Sequence, residues 1–377
     1  RRTSERVRAE PSFRLSMGIC FSDENREARR VRNPEMDTTT RNIYRLLVLG
    51  VSNSGKSTLC RHLTYLFGEG PGRAELQLYK RIIRSNVVEL TRQILKLRIK
   101  PDGKTIDVKP ELVKSAEYIM SSEVESNGFY DFTKEMSREL IKIWEDDDIR
   151  ETKMDNIGDN ATYFLSRINV LALSGYSPSP ADVLHSRVRS VGFGRHIFRV
   201  GNNIFEMTDV GGDSSDRRKW SRGYSMATSV LYVMSLTSYS ETGSGLVREN
   251  PQKSEEESLP VTVMEQSISL FKDICEESKL RNASIILFLN KRDIFKERIK
   301  QIPIRKCRAF AGYDGPEDDY KSCIEYMKKT ILSRIGVERN LYVYVTCAVD
   351  ERNVRRIFES VSDTVRTKAL EVVGTLS

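Results

Sequence analysis

The chain has 377 residues, room for two domains or for one domain with a large insertion, and its 39% hydrophobic content suits a globular protein, with no apolar run near the ~18 residues of a bilayer-spanning helix. Six cysteines (Cys20, Cys60, Cys275, Cys307, Cys323, Cys347) lie scattered without paired spacing, which argues for a reducing compartment and against a disulfide frame or a zinc site, and three widely separated histidines predict no histidine metal cluster. The net charge of +8 is mild, and without an aromatic-interleaved basic patch nothing supports nucleic-acid binding.

In chain order, the first stretch is basic. Residues 1–16 set Arg1, Arg2, Arg6, Arg8 and Arg14 against Glu5 and Glu10, which suits an anionic membrane surface. Met17-Gly18-Ile19-Cys20-Phe21-Ser22 fits the N-myristoylation pattern at Gly18, with Cys20 placed for palmitate, and two acyl chains hold a protein on a membrane where one is marginal. The signal operates only where Met17 initiates translation. Residues 23–45 are charged and Pro34 interrupts any helix there, so 1–43 reads as an N-terminal tail with an acylation signal and a short basic helix.

Leu46-Leu47-Val48-Leu49 is an apolar run too short for a helix, and it leads into Gly50-x-x-x-x-Gly55-Lys56-Ser57 and then into helical sequence. Strand, glycine loop and helix in that order make a P-loop. Gly50 and Gly55 let the backbone turn closely round phosphate oxygens, and the following helix adds the positive end of its dipole. Lys56 is expected to reach the β- and γ-phosphates and the Ser57 hydroxyl to ligate Mg²⁺. The motif alone says nucleotide phosphate, with ATPases and small-molecule kinases as open as GTPases.

Gly68-Glu69-Gly70-Pro71-Gly72 breaks the chain, so 44–70 reads as the first part of the nucleotide-binding domain. Across 71–181 apolar residues recur at helical spacing (Ile82, Ile83, Val87, Leu90, Ile94, Leu97; Leu140, Ile141, Ile143, Trp144; Phe164, Leu165, Ile168, Leu171), which predicts an all-helical insert closed by a linker at Ser177-Pro178-Ser179-Pro180. From 182 to 377 strands return. His196 to Val200 and Ile204 to Thr208 flank Gly201-Asn202-Asn203 as a hairpin, and Ser229 to Leu236, Ser284 to Leu289 and Leu341 to Thr346 are short buried-strand runs separated by helices. That pattern predicts a mostly parallel sheet with helices on both faces and a last helix striped by Val354, Ile357, Phe358, Val361 and Val365. The polar stretch 237–260 reads as a mobile, passive surface loop.

Two further motifs select the nucleotide. Asp209-Val210-Gly211-Gly212 ends a strand, and Asn290-Lys291-Arg292-Asp293 follows another; its carboxylate can accept from the guanine N1–H and 2-amino groups, an edge that adenine lacks. Thr346-Cys347-Ala348 offers a backbone N–H for the guanine carbonyl oxygen.

With these stretches, and with Asp182-Val183-Leu184-His185-Ser186-Arg187-Val188-Arg189-Ser190 and Arg217-Arg218-Lys219-Trp220, the sequence closely resembles the α subunits of heterotrimeric G proteins over nearly all of 44–370. The resemblance implies an α/β fold, a Ras-like P-loop GTPase domain with an inserted all-α helical domain, binding GTP or GDP with Mg²⁺. It implies nucleotide contacts from Gly50, Asn53, Ser54, Gly55, Lys56, Ser57, Thr58, Asp159, Leu184, Arg187, Ser190, Asp209, Gly212, Asn290, Lys291, Asp293 and Ala348, with Ser57 and Ser190 on the metal. Arg187 is then the arginine finger supplied in cis, Asp209 holds Mg²⁺ through water, and the Gly212 N–H senses the γ-phosphate. The implied partners are a βγ dimer, contacted through Trp220 and Arg217, a seven-helix receptor and an unidentified effector, at the cytoplasmic face of the plasma membrane or in the cytoplasm.

Against this family's pattern, the glutamine that orients the attacking water is Asp213, a P-loop glycine is Ser52 and the neighbouring glutamate is Asn53. The arginine after the catalytic glutamine is Ser214, and Gln266 stands where the loop answering that segment carries an acid. An ionised aspartate only accepts, sits on a shorter arm and repels phosphate, so hydrolysis is expected to be slow and the GTP-bound form poorly latched. The runner-up is a GTP-bound adaptor that scarcely hydrolyses. A third reading, a decaying gene copy, conflicts with the intact apolar pattern of every strand.

Overall fold

The computed structural model describes residues 42–68, 70–103, 105–152, 157, 160–188, 193–242, 261–336, 339 and 341–374, with side chains to 367. Six strands, β1 (Ile43–Leu49), β2 (Phe193–Val200), β3 (Asn203–Val210), β4 (Ser229–Ser235), β5 (Ser284–Asn290) and β6 (Leu341–Val345), form one sheet in the order β2-β3-β1-β4-β5-β6. All neighbours are parallel except the β2–β3 hairpin, whose register pairs Val200 with Asn203. β4 and β5 are buried along their whole lengths, as continuous apolar runs in a two-sided parallel sheet must be, whereas β2 at the edge is mostly exposed or half-buried.

Fourteen α-helices are assigned among the described residues: α1 (Lys56–Phe67), α2 (Arg73–Leu97), α3 (Val113–Ser121), α4 (Lys134–Glu145), α5 (Asp147–Arg150), α6 (Ala161–Leu165), α7 (Ile168–Leu171), α8 (Pro180–His185), α9 (Ser214–Arg217), α10 (Ser221–Tyr224), α11 (Val263–Glu276), α12 (Arg292–Arg298), α13 (Tyr320–Ser333) and α14 (Glu351–Gly374). Strand alternation sorts the core into two layers. Leu46, Val48, Leu231 and Val233 pack on one face with Leu59 and Leu63 of α1 and Phe358 and Val361 of α14. Leu47, Leu49, Val230 and Tyr232 pack on the other with Phe271 of α11 and Met327 of α13. The striped last helix and the hairpin therefore stand where the sequence places them.

Helices α2 to α7 have their own core, built on Ile83, Val87, Leu140, Phe164 and Leu171 and joined by Val183 from α8. The apolar run 164–171, read as one helical stripe, is two short helices. The expected linker at Ser177-Pro178-Ser179-Pro180 is instead a helix start: Ser179 and Asp182 form a reciprocal capping box and Pro180 opens α8. The loop expected from Thr237 also begins later. Leu236–Ser240 is a buried 3₁₀ turn, and Thr242 bridges to Thr262. The rest of that loop (243–260), the tail with Gly18 and Cys20, and Asp159 and Ser190 lie outside the described residues. No helix among the described residues is long and apolar enough to cross a membrane.

Candidate functional site

The loop after β1 is shaped by conformations its residues must permit. Gly50 has φ +144° and a Cβ there would fall 2.2 Å from Val233 O; Gly55 has φ +99° and a Cβ there would fall 2.2 Å from Asn290 Nδ2. Any side chain would break both approaches. Asn53, at φ 61°, takes the left-handed conformation that asparagine tolerates. Gly55 is the N-cap of α1 and gives no side-chain cap, and the first turn carries no acid, so the positive end of the helix dipole is unopposed by a side-chain charge there and favours an anion. Lys56 is buried and donates from Nζ to Val51 O at 2.9 Å; burial lowers its pKa, and the Asp209 carboxylate opposes that shift.

The segment following β3 sits directly on this loop. A Cβ on Gly212 would lie 2.5 Å from Ser52 N and 2.6 Å from Gly50 O, so only glycine allows the two backbones this close. Here two of the family departures meet: the Ser52 hydroxyl donates to Asp213 Oδ1. Arg217 Nε donates to Gly212 O at 3.1 Å and its Nη2 to Gln266 Oε1 at 3.3 Å. Gln266 lies on α11 rather than in a loop and keeps a polar contact with Arg217 while removing the charge. Burial holds the Arg217 pKa below its ordinary value, with the Asp213 charge among the influences raising it. Trp220 is buried, its indole N–H donating to Gly211 O at 3.0 Å.

Arg187 follows α8, and its backbone is gripped from α2. Its N–H donates to Asn86 Oδ1 at 2.9 Å, and Asn86 Nδ2 donates to Arg187 O at 3.3 Å. Arg61 on α1 reaches Val183 O (2.7 Å), Ser186 Oγ (2.8 Å) and Ser186 O (3.1 Å), while Thr58 Oγ1 lies 3.5 Å from Leu184 O. Asn160 adds a bond to His185 O at 2.9 Å. Sequence reasoning missed Arg61, Asn86 and Asn160. A signal existed for Asn86, a weak helix former inside the otherwise strongly helical Ile82-to-Leu97 pattern.

At the far end, buried Asn290 ties three segments together. Its Nδ2 donates to Ser54 O at 2.9 Å, and its Oδ1 accepts from Thr346 Oγ1 at 3.1 Å and from Ala348 N at 3.0 Å. The Ala348 N–H, expected at the base carbonyl, is thus directed to Asn290. Lys291 enters α12 in the left-handed conformation (φ 64°), with Asp293 in that helix's first turn. Asp293 lies close enough to Cys347 to hydrogen-bond it, while burial pushes that thiol up to about 12. Its charge also works against the burial that lowers the His185 pKa, and His185 stacks on Tyr163 with ring centroids 3.8 Å apart.

The donors near the P-loop suit a hard cation with phosphate. Ser57 contributes a hydroxyl at the helix start and Asp209 a buried carboxylate at the end of β3, both oxygen donors of the kind Mg²⁺ selects. The glycine cradle and uncapped helix start fit the phosphate itself.

A family model described as G-protein alpha subunit matches residues 22–365. A guanine nucleotide-binding protein subunit alpha of Emericella nidulans is 28% identical over 369 residues, covering 95% of this chain and 99% of the relative. The alpha-4 subunit of Dictyostelium discoideum is 28% identical over 361 residues (93% and 98%), and the alpha-7 subunit of Caenorhabditis elegans is 28% identical over 375 residues (95% and 99%).

Proposed function

The chain belongs to the G-protein α-subunit family, and from that premise we propose that it binds GTP and GDP with Mg²⁺, hydrolyses GTP slowly, and relays a signal from a seven-helix receptor to an effector in exchange with a βγ dimer. In this reading 44–70 and 182–377 make the GTPase domain and 71–181 the helical insert. Residues 1–43 form the tail, acylated at Gly18 and Cys20 where Met17 initiates translation, which places the protein at the cytoplasmic face of the plasma membrane. Base contacts come from Asn290, Lys291 and Asp293, with the 346–348 loop bracing Asn290 and with Asp159 and Leu184 on the nucleotide's other side.

The observation that carries slow hydrolysis is the hydrogen bond from Ser52 to Asp213. In-line attack on the γ-phosphate needs a water held in place and somewhere for negative charge to spread. Lys56, the positive dipole end of α1 and the exposed Arg187 supply positive potential for that charge. Mg²⁺, when bound, neutralises phosphate charge, and Ser57 and Ser190, with Asp209 through water, are the residues that would hold it. Asp213 works against the rest: its carboxylate cannot donate to the phosphoryl oxygen, repels it, and is drawn toward Ser52 on the P-loop.

The second reading, a GTP-bound binding module with negligible hydrolysis, draws on the neutral Arg217–Gln266 contact, which makes the nucleotide-dependent latch weak. Equilibrium binding of fluorescent GTP and GDP analogues, with ATP as competitor, tests the common premise. Magnesium-dependent binding resistant to ATP and lost in Lys56→Ala supports it, and no binding by the folded chain refutes both readings.

A further inference from the structure

Cys60, His196 and Asp209 meet between α1 and the β2–β3 hairpin, and one ligand-capable atom from each lies within 4.8 Å of the others. They come from three elements, which is why spacing along the chain argues against a zinc site while the fold assembles the donors for one. In the hairpin register His196 pairs with Met207 and Gly194 with Asp209, so His196 and Asp209 share a face as diagonal neighbours. Gly194 leaves room between them: a Cβ there would lie 3.6 Å from Asp209 Cβ and 3.7 Å from His196 Nε2. Cys60 and Asp209 are buried, and the half-buried His196 forms the solvent side of the cluster.

Thr64 orients the imidazole. Its hydroxyl donates to Cys60 O at 2.9 Å and lies 3.3 Å from His196 Nδ1. With its proton directed at that carbonyl, Thr64 accepts from Nδ1–H, which puts the neutral ring's lone pair on Nε2, the nitrogen on the side of Gly194. An orienting partner on the second ring nitrogen is the usual support of a metal-binding histidine.

We propose that Cys60, His196 and Asp209 bind Zn²⁺. Sulfur, imidazole nitrogen and carboxylate oxygen are the ligands zinc takes, and the thiol selects against Mg²⁺ and Ca²⁺. Tetrahedral zinc separates its ligand atoms by about 3.5 Å, so the trio closes by roughly 1 Å and leaves a fourth position for water. Loading replaces the Cys60 S–H with an S–Zn bond and releases the proton to solvent, with no change of oxidation state. The ion clips α1 to the hairpin. On the reading given under Proposed function, it also draws the Asp209 carboxylate from the magnesium position, so zinc antagonises Mg²⁺-dependent nucleotide binding.

The test titrates the metal-stripped full chain, without nucleotide, with Zn²⁺ against a chromophoric chelator, and with Co²⁺ to read the sulfur-to-cobalt charge-transfer band. One equivalent of tight binding and a thiolate band are expected. Cys60→Ala removes the band, His196→Gln weakens zinc on the order of 100-fold and the near-isosteric Thr64→Val about 10-fold, while Cys275→Ser changes nothing. No stoichiometric zinc, a band that survives Cys60→Ala, or an affinity indifferent to His196→Gln overturns the proposal; should Cys60→Ala misfold, the histidine and threonine variants decide. Because nucleotide is absent, failure here is distinct from failure of the GTPase reading. Zinc binding that leaves magnesium-dependent GDP affinity unchanged removes only the antagonism.

Discussion

Ser52 and Asp213 stand 161 positions apart and are joined by a hydrogen bond from hydroxyl to carboxylate. Each breaks the family pattern alone; together they make one unit, in which a P-loop hydroxyl donates to the carboxylate at the position we propose orients the attacking water. Residues in direct contact couple, so a double-mutant cycle over Ser52→Gly and Asp213→Gln should show an interaction energy of about 1 kcal/mol or more in GTP affinity or turnover. Additive effects would mean that the bond carries no weight.

Asn290 satisfies Ser54 O, the Thr346 hydroxyl and Ala348 N at once. Asn290→Ala strands these buried groups and should cost about 2–4 kcal/mol of stability, read by urea unfolding, along with nucleotide binding. A variant of unchanged stability would show that other donors replace the side chain.

Asn86 grips both backbone polar groups of Arg187 from α2. Asn86→Ala should free that segment, speeding GDP release and slowing single-turnover hydrolysis by about 3- to 10-fold each, for a loss on the order of 1 kcal/mol. Rates equal to wild type would place the control of Arg187 elsewhere.

Arg217 is half-buried with a neutral partner in Gln266. Gln266→Glu supplies a charge-assisted bond and should stabilise the 214–220 segment by about 1 kcal/mol, seen as slower tryptic cleavage with a non-hydrolysable GTP analogue bound. Cleavage at the wild-type rate would count against the weak latch.

His62 and His185 both have pKa values lowered from 6.5, in each case chiefly by burial; His62 also contacts Ala348 O at 2.7 Å through Nδ1. A histidine kept neutral by folding takes up its proton more readily when unfolded. Its contribution is therefore whole above pH 6.5 and is lost as pH falls from there toward the lowered folded values. Urea midpoints should be flat between pH 7 and 8 and drop toward pH 5, and His62→Gln should remove part of that drop. A midpoint unchanged down to pH 5 would contradict the burial effect.

The sheet, the P-loop and the two-layer core were legible because they rest on local patterns: Leu46 to Gly55 needs no partner to be read, and β4 and β5 announce two-sided burial by composition. The Ser52–Asp213 bond, the Asn86 clasp and the engagement of Ala348 by Asn290 were not, since each joins side chains or loops that only the folded chain brings together. Ser179-Pro180 was misread for a different reason. Serine before proline serves a turn and a helix cap equally well, and burial of Val183 in the helical core settles it for the cap.

The most direct measurement is single-turnover hydrolysis of γ-labelled GTP by wild type, Asp213→Gln and the Ser52→Gly/Asp213→Gln double variant, at saturating Mg²⁺ and with nucleotide affinity measured in parallel. A slow wild type, accelerated on the order of 10-fold by Asp213→Gln and further by the double change, is the predicted result. A wild type as fast as the double variant, or an Asp213→Gln variant slower than wild type with affinity intact, would contradict a GTPase damped by the Ser52–Asp213 pair.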